Sequence, residues 1–295
     1  MQSARRISTW AGGSEPAPDY WGLCLTAEEA GSTVALTKTN SPPAVTLETS
    51  RDGLVWTPYT IGDTITLANV GDRIFFASGD GGNTRLSTGG GNRHTFTFSG
   101  RIAASGNTMS LLNRNEALTE ISGTYALAYL FDNCTSLVAA PELPATTLAS
   151  SCYQDMFNGC TSLVAAPELP ATTLASSCYR HMFDGCTSLV AAPELPATTL
   201  TSGCYREMFY NCTSLVAAPE LPATTLTSSC YNSMFFGCTS LTNIKAHFTA
   251  WGLQTNYWVN GVAASGVFEC PDALPHTASD FTISKIPPGW TVETF

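Results

Sequence analysis

The sequence predicts a β-rich chain in two parts: a β-sandwich-like domain over residues 21–107, then a right-handed α/β solenoid of 26-residue repeats over 108–247, capped by 248–295. Three observations predict it. Four consecutive units, starting at Cys134, Cys160, Cys186 and Cys212, are identical at 20 of 26 positions, and self-similarity at a fixed period of this length marks stacked supersecondary units. Upstream, short apolar stretches around Val34, Val45, Ile65 and Phe96 alternate with polar neighbours and are parted by turns such as Arg51-Asp52-Gly53, the pattern of short antiparallel strands. Downstream, Trp251, Trp258 and Trp290 supply aromatic bulk, read as a cap that shields the last repeat in preference to a sugar-binding platform.

Each unit divides in two. The segment SSCYQDMFNGC has no proline, carries Ser ahead of it and ends in Gly-Cys, which predicts a short helix with an N-cap and a C-terminal glycine. The segment SLVAAPELP is apolar and then broken by two prolines, which predicts a very short strand and an extended turn. A helical rotation of about 100° per residue sets positions 154, 155 and 158 on one side and 152, 153, 156, 157 and 160 on the other. The first set varies between copies, whereas the second is Cys, Tyr, Met, Phe and Cys throughout. An amphipathic element with a fixed apolar face and a free polar face is expected.

The array has atypical ends. A degenerate copy from Thr108 places Leu111 where Leu137 stands later, and Leu130-Phe131 where Met156-Phe157 stand; after Cys238 the pattern restarts as CTSLTNIKAHF and then dissolves. Nine of the eleven cysteines follow the repeat, in series from Cys134 and from Cys152, and the other two are Cys24 and Cys270. Cys152 and Cys160 would lie about 12 Å apart along a helix, beyond disulfide reach. The cysteines are therefore read as buried small hydrophobes, with bridges between neighbouring units left open.

The segments MFNGCTSL, MFDGCTSL, MFYNCTSL and MFFGCTSL resemble the F-x-x-C-x-S-L core of the BspA-like leucine-rich repeats, found on surface proteins of gut Bacteroidetes and some protists and in their phages. The resemblance spans roughly 108–247. The connector PELPATTL departs from the usual I-x-I-P pattern. The resemblance implies an adhesin or ligand-binding surface protein with no catalytic residues to carry over.

Composition narrows the partners. Charged residues make up 12% of the chain and the net charge is −10, which removes the basic footprint of a nucleic-acid binder. No run approaches the ~20 apolar residues of a membrane span, and the N-terminal residues lack the apolar core of a secretory signal. Residues 1–20 read as a flexible or docking arm. The run from Ser78 to Asn92 lacks the Lys-Ser/Thr of a phosphate loop and reads as a hairpin tip.

No catalytic constellation is visible. His94, His181, His247 and His276 lie in unrelated contexts, and there is no G-x-S-x-G, H-E-x-x-H or C-x-x-C. No cofactor and no metal is expected. Glu142, Glu168, Glu194 and Glu220 would form a carboxylate ladder if units stack, more readily a solvated edge than a cation site.

The individuality of the array lies on its variable face. That face comprises Gln154, Asp155, Asn158, Arg180, His181, Asp184, Arg206, Glu207, Tyr210, Asn232, Ser233 and Phe236, and its later units carry the Arg, Tyr and Phe enriched at binding hot spots. The expectation is a non-catalytic adhesion protein at a virion or cell surface, recognising a bacterial surface protein or glycan through this face. Other virion or envelope proteins would dock on the N-terminal region, and homo-oligomerisation stays open. The alternative is a structural decoration or spacer, with a glycan-cleaving enzyme a distant third.

Overall fold

In the computed structural model, which describes residues 22–114 and 118–295, the strands fall into three sheets. The arm expected at 1–20 lies outside the described residues. The upstream strands are β1 (Leu23–Ala27), β2 (Ser32–Thr39), β3 (Leu47–Ser50), β4 (Thr57–Tyr59), β5 (Ile65–Leu67), β6 (Arg73–Ser78), β7 (Ser87–Gly89), β8 (Asn92–Ser99) and β9 (Ile102–Ser105). With β10 (Leu137–Ala139) they form a six-stranded sheet, β10-β9-β1-β6-β3-β4, and a four-stranded sheet, β5-β2-β8-β7. The inner strand β6, RIFFAS, is buried from Ile74 to Ser78, as a strand flanked on both edges must be. Phe76 of one sheet meets Phe96 of the other edge-on at 5.1 Å. The Gly-rich run forms β7 and the turn into β8.

The predicted α/β solenoid is overturned. Among the described residues there is no α-helix, only three 3-10 turns of three or four residues. The strand side of the intact repeats thins to isolated parallel bridges such as Ala165 with Ala191 and Ala191 with Ala217. The segment predicted as a helix is instead a chain of consecutive β-turns. Cys152, Gln154, Met156, Asn158 and Cys160 each donate to the carbonyl three residues back. The alternate residues Ser151, Tyr153, Asp155, Phe157 and Gly159 donate to Ser176, Cys178, Arg180, Met182 and Asp184 of the next unit. Every donor of the run is thus satisfied, half within the unit and half across it.

The backbone conformation excludes a helix on its own terms. Ser151, Asp155 and Gly159 have φ of 54°, 52° and 69°, the left-handed region that a right-handed helix never visits. A left-handed residue at the third position of every second turn fits the type II geometry. The same positions repeat at Ser177, His181 and Gly185, and at Gly203, Glu207 and Asn211. A ten-residue helix is marginal in water by itself, whereas the turn run gains a rung of hydrogen bonds from each neighbour.

Side chains in this run alternate two in and two out, a period close enough to 3.6 to mimic a helix. Tyr153, Met156, Phe157 and Cys160 are fully buried, as are their equivalents through Cys238. Inward rings stack in columns: Phe131, Phe157, Phe183, Phe209 and Phe235 are separated by 5.5, 5.6, 5.7 and 5.8 Å. The column begins on Phe96 of β8, 5.4 Å from Phe131, and ends on Trp258, 6.1 Å from Phe235. One continuous core therefore runs from the upstream sheets to the C-terminal segment.

The cysteines have a role beyond filling space. From Cys160 onward, each thiol of one series donates to a phenylalanine carbonyl of the rung before it, as Cys186 Sγ does to Phe157 O at 3.1 Å. The carbonyl already accepts from Cys160 N, so the thiol takes its second lone pair. All eleven cysteines are free and buried, and burial pushes the Cys204 thiol up to about 12.

The stack continues past the point where the repeat dissolves in sequence. Tyr231, Ser233, Phe235 and Gly237 donate to Gln254, Asn256, Trp258 and Asn260, so residues 254–261 form a further rung. Beyond it, β11 (Asn243–Lys245), β12 (Val267–Cys270) and β13 (Thr291–Thr294) pair in parallel. Among the described residues no helix is long and apolar enough to cross a membrane.

Candidate binding face of the repeat stack

Because the turn runs are in register, the twelve variable residues fall into three outward columns. Gln154, Arg180, Arg206 and Asn232 form the first; Asp155, His181, Glu207 and Ser233 the second; Asn158, Asp184, Tyr210 and Phe236 the third. All twelve share one side of the stack. Most are half-buried, and Gln154 and Ser233 are only 9% and 8% exposed, so this face is more closed than a free solvated surface.

The columns are knitted by polar contacts between rungs. Gln154 Nε2 donates to the Tyr129 hydroxyl and to Asp155 Oδ2, both at 2.9 Å, and Asn158 Nδ2 donates to Asp155 Oδ1 at 3.2 Å. One rung further, His181 holds Asp184 Oδ2 through Nδ1 at 3.0 Å and Glu207 Oε2 through Nε2 at 2.5 Å. Arg206 Nε and Arg180 Nε approach the same Glu207 oxygen at 3.3 and 4.0 Å, as ion pairs without hydrogen-bond alignment. Burial alone would lower the His181 pKa, but the Asp184 and Glu207 carboxylates outweigh it and raise it to about 9. Against the desolvation that would raise it, His181 and Arg206 hold the Glu207 carboxyl below its ordinary value.

The last two units differ in kind. Tyr210 and Phe236 stack at 4.6 Å with planes 3° apart, neither ring fully buried. They offer apolar edges beside the charged His181, Arg206 and Glu207 group. The face thus grades from amides through charge to aromatics along the stack.

Sequence reasoning missed the extensions of this face. Upstream, Tyr129 and Asp132 continue the second and third columns; Arg93 Nη2 reaches Asp132 Oδ2 at 2.8 Å, and its guanidinium lies 4.8 Å from the Tyr129 ring centre. Burial raises the Asp132 pKa and Arg93 opposes it. Downstream, Tyr257 and Asn260 take the places of Ser233 and Phe236 in the further rung. Aligning the degenerate copy from Thr108 by its Phe131 would have shown the first extension; the second was hidden by a change of spacing.

Against known protein families, curated proteins and solved structures, the chain shows no match. The face has to be judged on its own geometry.

Among the described residues, the polar groups elsewhere form smaller sets. Glu142, Glu168 and Glu194 are exposed in a row, while Glu220 contacts Lys245 Nζ at 3.0 Å and His247 Nε2 at 2.6 Å. Among the described residues no three His, Cys, Asp or Glu side chains converge as metal ligands. His94 is buried, with Nδ1 2.8 Å from Leu86 O, and His276 Nδ1 lies 2.7 Å from Leu274 O. Each of these two histidines serves a local backbone carbonyl.

Proposed function

We propose that the chain is a non-catalytic binding and display protein of a virion or cell surface, holding a bacterial surface protein or glycan on the outward columns of its repeat stack. One observation carries this reading. A single run of turns presents inward residues that never change and a set of outward residues whose combination differs in every unit, ending in the half-exposed Tyr210 and Phe236 pair. Aromatic and arginine side chains held by a rigid scaffold are the usual anchors of recognition. The virion assignment rests on the resemblance of the MFxGCTSL segments to BspA-like repeats, an analogy of sequence.

A structural spacer is the second reading, and the Glu207 cluster favours it. There the outward side chains spend their charges on one another, tying adjacent rungs. The two readings part in one experiment. Fluorescently labelled full chain is applied to fixed gut Bacteroidetes cells, beside the variant R206A/Y210A/F236A. Recognition predicts at least a tenfold loss of bound label with an unchanged melting temperature. Equal binding by the variant would leave the spacer reading.

A further inference from the structure

The geometry points to a second binding site, separate from the outward columns: a subsite for one neutral pyranose ring, where the last full repeat meets the rung that follows it. The site arises from a break in the period. Gly185 donates to the carbonyl of residue 210, 25 positions ahead, whereas Gly237 donates to that of residue 260, 23 ahead. The final connector is therefore two residues shorter than its predecessors. Leu226 shows the consequence: its equivalents Leu148, Leu174 and Leu200 are 5%, 8% and 5% exposed, whereas Leu226 is only partly buried. A cleft of about 200 Å³ opens there, with Thr224 and Thr225 on one side and Thr249, Trp251 and Gln254 on the other.

The lining has the chemistry of a neutral sugar site. Trp251 is locked in place by Phe248 edge-on at 5.3 Å, by Phe268 stacked at 5.9 Å and by its Nε1 donating to Pro275 O at 2.7 Å. It remains partly exposed on the cleft. Phe268 is stacked on the indole and Trp258 lies at 6.2 Å, so only the part of the ring that borders the cleft is offered to the apolar C–H face of a pyranose. The Thr224, Thr225 and Thr249 side chains are exposed and Gln254 is half-buried on the cleft, so both donors and acceptors can reach sugar hydroxyls. No charged side chain lines the cleft, which selects against uronic and sialic acids. The volume admits one ring, so the ligand is a free monosaccharide or the terminal residue of a longer glycan.

The test uses the intact chain. Glucose, galactose, mannose, N-acetylglucosamine and glucuronate are titrated in turn, with tryptophan fluorescence and saturation-transfer NMR as readouts. At least one neutral sugar should give a saturable change with a Kd on the order of millimolar, and glucuronate none. Methyl glycosides that bind as well as the reducing sugar would indicate a glycan terminus; binding of the reducing form alone would indicate a free sugar. The surface variants Q254M and T249V leave the aromatic floor and the melting temperature intact, and should weaken binding at least tenfold. Failure of every neutral sugar, a preference for glucuronate, or undiminished binding by both variants would each overturn the proposal. Because R206A/Y210A/F236A leaves this cleft untouched, it should bind the sugar as wild type does, whatever happens to its adhesion.

Discussion

The inward and outward columns of the repeat stack hang from the same turns, yet they obey different rules. Inward, Tyr, Met, Phe and Cys are identical in every unit and their rings stack at 5.5 to 6.0 Å. Outward, no unit repeats its predecessor, and neighbouring rungs are joined by the Gln154 amide on the Tyr129 hydroxyl, by ion pairs around Glu207 or by the Tyr210 and Phe236 rings. The contrast teaches where freedom lies. A ring inside must match the ring above and below it, so one change is felt by three units, whereas an outward residue can meet its neighbour through a hydrogen bond, an ion pair or a ring, and the fold constrains its identity less.

The largest effect comes from breaking the inward side. Phe183→Ala removes a fully buried ring between Phe157 and Phe209 and should cost about 3–5 kcal/mol in denaturant-induced unfolding. Arg206→Ala on the outward side should cost no more than about 0.5 kcal/mol. Comparable losses for the two would erase the distinction.

A subtler substitution tests the turns themselves. Ser177 has φ of 56°, and the third copy has Gly203 at the equivalent place. Ser177→Gly relieves a left-handed residue of its Cβ while adding freedom to the unfolded chain, two effects of about 1 kcal/mol each and opposite sign. Stability measured by the denaturant midpoint should stay within about 0.5 kcal/mol of wild type. A loss well beyond that would argue against the left-handed conformation at this position.

A further effect is electrostatic. His181 is folded with a pKa near 9, above its unfolded value of about 6.5. Its contribution to stability is therefore complete below pH ~6.5 and is lost as pH rises through about 9. Melting temperatures should fall across that window in wild type and less so in His181→Gln, where the titrating ring is gone. A parallel decline in both would place the titration elsewhere.

Much of this organisation was legible in the sequence, and the misreading has a physical cause. Twenty invariant positions in 26 announced the stack, and the contrast of positions 154, 155 and 158 with 152, 153, 156 and 157 separated the variable side from the invariant core, although Gln154 and Ser233 on the variable side are themselves buried. That contrast could not name the backbone. Two in and two out is a period of four, which a helix of 3.6 and a chain of β-turns satisfy almost equally. What decides for turns is the cross-unit bond from Tyr153 to Cys178 and its kin, a partnership 25 residues away that local propensity does not register. The rung at 254–261 escaped notice because it keeps neither cysteine nor spacing, and the Trp251 cleft went with it. Trp251 and Trp258 were visible as aromatic density, but their placement under the last full unit depends on the shortened connector.

The central claim is that the outward residues of the third and fourth units serve recognition beyond the contacts they make with one another. It is tested most directly by giving the third and fourth units the outward residues of the first: Arg206→Gln, Glu207→Asp, Tyr210→Asn, Asn232→Gln, Ser233→Asp and Phe236→Asn. Adhesion of the labelled protein to Bacteroidetes cells is then measured beside its melting curve. The account predicts cooperative melting close to wild type together with lost adhesion. Retained adhesion would contradict it.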